Sequence, residues 1–223
     1  MTYKDKGKKM SEIKFRLAKP CDANQIANVH FHVRDKYGEG FFAHVNKSFL
    51  KQYYQIILND PYQIVVCAEQ DGNILGFCSG SLDASKEFQN IRKNRWKFII
   101  PLFTTALSNP SIIKDAYVRF KSTDTNSKTK YVNTSGPRCE YWAWLPGRDD
   151  SYMSLYVQEL VLYFMKCFGI NEVFGEGDLI NEKVMKLQLR NGTKILEKFI
   201  MPDGRERIKT VINLNEHKFK LYY

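Results

Sequence analysis

The chain has no run of the ~18 or more apolar residues that a membrane-spanning helix requires. Its lysine-rich opening, Lys4, Lys6, Lys8 and Lys9, holds no apolar segment suited to secretion. The expected compartment is therefore the cytoplasm, with a peripheral membrane contact left open. The five cysteines, Cys21, Cys67, Cys78, Cys139 and Cys167, form no C-x-x-C pair or other metal-like spacing, and most sit in apolar runs, as free core thiols do. No disulfide framework, zinc site or other metal is expected. Acidic residues are in short supply: 24 Asp and Glu face 34 Lys and Arg, a net charge of +10. That balance favours a negatively charged partner or, in the plainer reading, keeps the surface solvated.

What is present suffices for a large core. The 223 residues are 43% hydrophobic and 14% aromatic, which suits one large domain spanning 1–223 or two small ones. Residues Ile13 to Asp22 (IKFRLAKPCD) alternate as a short strand that ends at Pro20, with Asp22 placed to cap a following helix. Ile26, Val29 and Val33 then recur at helical spacing. A glycine-containing break, Tyr37 to Phe42, precedes a second helix with Phe49, Leu50, Tyr53, Ile56 and Ile57 on its apolar face. QIVVCAEQ and ILGFCSGSL, either side of Asp71-Gly72-Asn73, predict a tight hairpin.

Residues 84–121 differ in character: eight Lys or Arg against Glu87 and Asp115, interleaved with Phe88, Ile91, Phe98, Ile99 and Leu102. They predict one or two basic amphipathic helices broken at Pro101 and Pro110, and a Ser/Thr/Asn/Lys-rich connector follows to Arg138. Residues 84–138 thus read as an insertion with its connector. Beyond it come a strand (Cys139 to Leu145), the loop Pro146 to Ser151, and a long helix ended by Gly169. A short strand, Glu172 to Glu176, a helix over Asn181 to Gly192, and two strands about a Pro-Asp-Gly turn complete the chain.

The order β-α-α-β-β, insertion, β-α-β-α-β-β resembles that of the GNAT superfamily (Gcn5-related N-acetyltransferases). The late helix, with Asn181, Val184, Gln188 and Gly192, and the opening FRLAKPCDANQI are similar to family segments, and the likeness runs from about Ile13 to Leu214 outside the insertion. The resemblance implies an α/β fold with a mixed central sheet, flanked by helices and splayed between its fourth and fifth strands to admit acetyl-CoA as co-substrate. It also implies transfer of an acetyl group to a primary amine. Two places depart from the family pattern. Where a Gly-x-Gly loop usually wraps the pyrophosphate, this chain reads GRDDSYMS and keeps Gly147 alone, so Asp150 or Ser151 is expected to cap the helix. Gln188 stands where family members often hold an acidic tyrosine.

The implied cofactor contacts are Trp144, Leu145, Gly147, Arg148, Ser151, Tyr152, Met153, Asn181 and Gln188. Arg148 and the helix N-terminus would face the phosphates. Backbone groups near Trp144 would serve as oxyanion donors. Glu140 is the first candidate base, four residues before Trp144 and expected on the same face, and Glu39 is the second. Phe41, Phe42, His44 and Trp142 are the candidate acceptor wall, with Trp144 beside them.

The acceptor expected is a small-molecule amine, with an amino sugar or nucleotide-linked sugar favoured because a basic insertion suits a phosphate-bearing substrate. A peptide or protein amine remains an alternative, as does a non-catalytic binding module. Residues 86–121 also suit an anionic membrane surface, whereas no nucleic acid is expected.

Overall fold

The computed structural model describes residues 12–34, 40–122, 133–201 and 204–220. Its seven strands form one sheet in the order β1-β2-β3-β4-β5-β7-β6. Strand β1 (Lys14–Leu17) leads through a short turn to helix α1 (Ala23–Val33), one-turn α2 (Phe41–His44) and α3 (Lys47–Ile57). Asp22 does not cap α1 as the sequence predicts. Its carboxylate turns back, accepting from the Lys19 amide at 2.7 Å and pairing with Arg16 at 2.6 Å, because a guanidinium within reach outcompetes a helix amide. At α3 the expected device is made by Asn46, which accepts from the Phe49 amide at 2.9 Å.

Strands β2 (Gln63–Gln70) and β3 (Asn73–Ser81) form the predicted hairpin. Asp71 and Gly72 both carry positive φ, 52° and 76°, the geometry whose twist matches the flanking strands. Gly76 on β3 has a different task, since a Cβ there would overlap the Trp144 ring on the neighbouring strand.

Among its described residues the insertion holds three α-helices rather than one or two: α4 (Ala84–Lys93), α5 (Ile99–Ser108) and α6 (Ile112–Ser122). Pro110 separates α5 from α6 as expected. Pro101 breaks nothing, because it falls in the first turn of α5, where a missing N–H costs no intrahelical bond. The connector between 123 and 132 and the Pro202-Asp203 part of the last turn lie outside the described residues.

Strand β4 (Arg138–Trp144), helix α7 (Ser154–Cys167), strand β5 (Glu172–Asp178), helix α8 (Glu182–Arg190) and strands β6 (Lys194–Ile200) and β7 (Glu206–Asn213) complete the order. All neighbouring strands are antiparallel except β4 and β5, which run parallel and register at one pair, Arg138 with Phe174. Beyond that pair the two strands part, so the sheet is splayed where the resemblance implies.

Each face of the sheet has its own core. Ile26, Leu50, Tyr54 and Ile57 of α1 and α3 pack on Val65, Phe77 and Ala143. On the opposite face Val157, Val161 and Met165 of α7 pack on Val66, Cys78 and Trp144. Full burial of such a side chain contributes about 1.5–3 kcal/mol.

Candidate functional site

The parting of β4 and β5 opens a cleft whose lining includes Glu140, Tyr141, Trp142, Phe174, Gln158 and Gln188. Three residues singled out in the sequence, Glu140, Trp142 and Gln188, therefore meet there. The C-terminal segment closes one wall: His217 Nε2 lies 2.9 Å from Glu159 of α7, and its Nδ1 lies 3.2 Å from the Asn191 carbonyl after α8.

Backbone groups face the gap because of the sheet's own alternation. The Leu145 amide donates to Leu75 of β3 at 2.8 Å. In an antiparallel pair alternate amides point to alternate sides, so those of Trp142 and Trp144 turn toward the parted β5. They are the donors an oxyanion or a chain of amides could use. The Leu145 amide is committed to β3.

A bulge decides which side chains face which way. Cys78 registers with Trp142, but Gly80 registers with Cys139, so β4 carries one extra residue between them. Cys139, Trp142 and Trp144 consequently belong to the α7 face. Tyr141 and Ala143 belong to the α1/α3 face, and Glu140 joins them through its ionic partners Arg138 and Glu87. The expectation that Glu140 shares a face with Trp144 is thus overturned, since it assumed unbroken alternation. Trp142 is likewise removed from the wall expected around Phe41 and Phe42: its indole donates to the Ser154 carbonyl at 2.7 Å on the α7 side. Trp144 points the same way and donates to Asp150 at 3.1 Å.

On the α1/α3 face the wall is Phe42, Tyr53, Tyr141 and His30, with the Phe42 ring 5.0 Å from Tyr141 and 5.1 Å from Tyr53. Phe41 packs edge-on against Phe42 and Phe49. The Arg119 guanidinium of α6 sits 5.6 Å over the Phe42 ring. His44 does not enter this wall; its Nδ1 lies 2.9 Å from Asp115, tying α2 to α6. His32 meets the Asn28 carbonyl on the exposed side of α1. Glu39 lies outside the described residues.

His30 lies 2.7 Å from the Tyr54 hydroxyl, and burial, aided by the nearby Arg34 charge, lowers its pKa from 6.5 to about 3. Unfolding releases a histidine that protonates below about pH 6.5. The stability associated with neutral His30 is therefore fully present above that pH and is lost as pH falls toward 3, with a slope of at most about 1.4 kcal/mol per pH unit. Urea midpoints measured between pH 7 and 4 should fall in the wild type, and this part of the slope should vanish in His30→Phe.

Behind the wall lies a buried ionic cluster that sequence reading missed. Arg138 meets Glu140 at 2.6 Å, Glu87 of α4 at 3.2 Å and Glu176 of β5 at 3.7 Å, and all four side chains are at most 7% exposed. Three carboxylates converge on the Arg138 guanidinium, and the Arg119 charge also bears on Glu87. Burial first, and then the Glu87 charge, pushes the Glu140 carboxyl well above the usual range, while the Arg138 charge helps to hold Glu87 low against its own burial. The sequence sign of the cluster was Glu87, one of two acids in an otherwise basic stretch.

The loop before α7 is held by its own charges. Arg148 and Asp150 form a bidentate pair, and Arg148 also donates to Gln70 at 3.0 Å. Asp150 therefore does not cap α7, and neither does Ser151, for no side chain caps the turn or the helix behind it. That leaves the helix N-terminus as a ready acceptor of negative charge. Gly147 makes the turn with φ 74°. Ser151 and Tyr152 are exposed, and Met153 is half-buried. Asn181 stands at the start of α8 and is not among the cleft residues.

No family model matches the chain, and no curated protein matches its sequence. Solved structures do match. The yncA protein of Salmonella typhimurium, determined with its cofactor acetyl-CoA, aligns at TM-score 0.57 and 10% identity over 96% of this chain and 100% of that one. An aminoglycoside 6'-acetyltransferase type Ii aligns at 0.54 and 10% identity, covering 90% and 97%. A GNAT-family acetyltransferase of Bacillus cereus aligns at 0.52 and 12% identity, covering 91% and 97%. The chain has the GNAT fold.

Proposed function

We propose that the chain transfers an acetyl group from acetyl-CoA to a primary amine. The observation that carries this reading is the parted pair β4 and β5, with the Trp142 and Trp144 amides turned into the gap and a buried carboxylate, Glu140, beside it. The amides would donate to the thioester oxygen as negative charge develops on it. The amine nitrogen forms the new bond to the carbonyl carbon while the carbon–sulfur bond breaks. Coenzyme A leaves as its thiolate, and the amine proton passes to Glu140. Gln188, lining the cleft, can hydrogen-bond the sulfur but cannot protonate it; a thiol of pKa about 8.5 needs little help to leave.

The α7 N-terminus, free of a side-chain cap, would take the diphosphate, with Arg148, Gly147, Ser151 and Tyr152 around it. The acceptor would enter on the face of Phe42, Tyr53 and Tyr141, beneath Arg119. A small, phosphate-bearing amine such as a nucleotide-linked amino sugar suits that face. The aromatic rings can stack on a sugar, and the chain's net charge of +10 attracts a phosphate.

One observation favours a second reading, a binding module without turnover: Asp150 already neutralises Arg148. Calorimetry separates the two. Acetyl-CoA should bind the unmodified chain at micromolar concentration, and Arg148→Ala should weaken it about three- to tenfold, the loss of one partly compensated charge-assisted contact. No heat with either acetyl-CoA or free coenzyme A would remove the transferase reading. Binding without thiol release across amino-sugar acceptors would favour the module.

A further inference from the structure

The insertion carries a surface that the other described residues leave uncovered. Leu102, Thr105 and Ala106 of α5 turn inward toward the α1/α3 core, Thr105 being 1% exposed. At about 100° per residue, Ile99, Ile100, Phe103 and Leu107 fall within an arc of about 100° on the outer side. Trp96, in the preceding 3-10 turn, eclipses Ile99 three residues on. These five side chains are between 64 and 75% exposed. Packed beside them, α6 presents Ile113 and Tyr117, 63 and 58% exposed. So many large apolar groups on one part of a surface mark a place of contact.

Charge identifies the partner. Lys93, Arg95, Lys97 and Lys114 are exposed around this stripe, and no Asp or Glu occurs between Glu87, which is buried against Arg138, and Asp115, which is tied to His44. A second copy of the chain would bring one cationic rim against another, each on a protein of net charge +10. An anionic bilayer meets both halves of the pattern. Its phosphates pair with the rim, its acyl boundary takes the isoleucines, Phe103 and Leu107, and an indole such as Trp96 favours the level between them.

We propose that α5, the turn before it and the start of α6 form a docking face for anionic membrane surfaces. The face lies on the surface of one helical pair and needs no spanning segment. Helix α6 also reaches Phe42 through Arg119 and His44 through Asp115. Docking therefore sets the aromatic wall beside the bilayer. The inference stands whether or not the chain transfers acetyl groups.

Co-sedimentation of the full chain with two kinds of vesicle tests it: pure phosphatidylcholine, and equal parts phosphatidylcholine and phosphatidylglycerol. The full chain should sediment with the anionic vesicles and shift its tryptophan emission to shorter wavelength, a shift absent in Trp96→Phe. Two variants at exposed positions should keep the wild-type circular dichroism. Ile100→Asp with Phe103→Asp, and Lys93→Glu with Arg95→Glu and Lys97→Glu, should each lower partitioning by about tenfold or more. Failure to sediment with the anionic vesicles would overturn the proposal. So would unchanged binding of the Ile100→Asp/Phe103→Asp variant, which would reduce the effect to general charge attraction. A concentration-dependent dimer dissolved by that same variant would also overturn it, assigning the face to a second copy.

Discussion

Arg138→Met is expected to lower the unfolding free energy by about 3–5 kcal/mol, a large share of the 5–15 kcal/mol typical of a domain. The side chain is 4% exposed and is surrounded by Glu87, Glu140 and Glu176, themselves 1, 2 and 7% exposed. Methionine fills much of the volume and keeps contact with the Phe88 ring, over which the guanidinium sits at 4.8 Å. It leaves three buried carboxylates without the guanidinium on which they converge. Without that charge the Glu140 carboxyl is pushed up further and the Glu87 carboxyl is no longer held low, so the variant's deficit should be greatest at neutral pH and shrink as pH falls and these carboxyls protonate. Urea unfolding followed by circular dichroism at pH 7 and pH 5 measures this. Equal midpoints for wild type and variant at pH 7 would show that the cluster contributes no net stability.

Glu140→Gln tests the chemistry instead of the fold, and rests on the transferase reading. Turnover should fall about 10²- to 10³-fold, the range expected when a positioned base is removed, with little change in acetyl-CoA affinity. Because the folded Glu140 carboxyl titrates well above its ordinary range, the wild-type rate should rise with pH through that raised pKa, and the variant should lack this limb. The substitution also removes a carboxyl that burial and Glu87 already disfavour in its charged form, so stability should hold or increase. A stable variant with an unaltered pH profile would mean that Glu140 supports the site without accepting the proton. Thiol-release kinetics on the best acceptor from an amino-sugar screen decide between them.

The fold was legible where its signals are local. Outside the insertion, period-two and period-3.6 patterning placed most strands and helices to within a few residues, and Asp71-Gly72 marks its hairpin because so few residues accept positive φ. The site was legible only in outline. Glu140 and Gln188 do line the cleft, but the face of Glu140 depended on a bulge set by how β4 registers with β3, more than fifty residues away in sequence. Arg138 and Glu87 could not be paired beforehand, since a charged residue in a basic stretch reads as solvated until an insertion folds it beneath a sheet. The capping expectations failed for a related reason. Asp22 and Asp150 each found an arginine, and such ion pairs leave no periodic trace.

The insertion between β3 and β4 also shapes how the protein is made. Once residue 81 has been synthesised, β1, β2 and β3 with α1 and α3 can assemble as a nearly local unit. The outer edge of β3 then waits for β4, about sixty residues later, a delay of several seconds at about 5–20 residues per second. Throughout that interval the nascent chain displays an open strand edge, on a strand whose Phe77 and Cys78 end fully buried, with backbone donors and acceptors open to any passing segment. A chaperone that shields exposed strands has its longest opportunity there, and defects in α4 to α6 would prolong it without touching a single residue of the cleft.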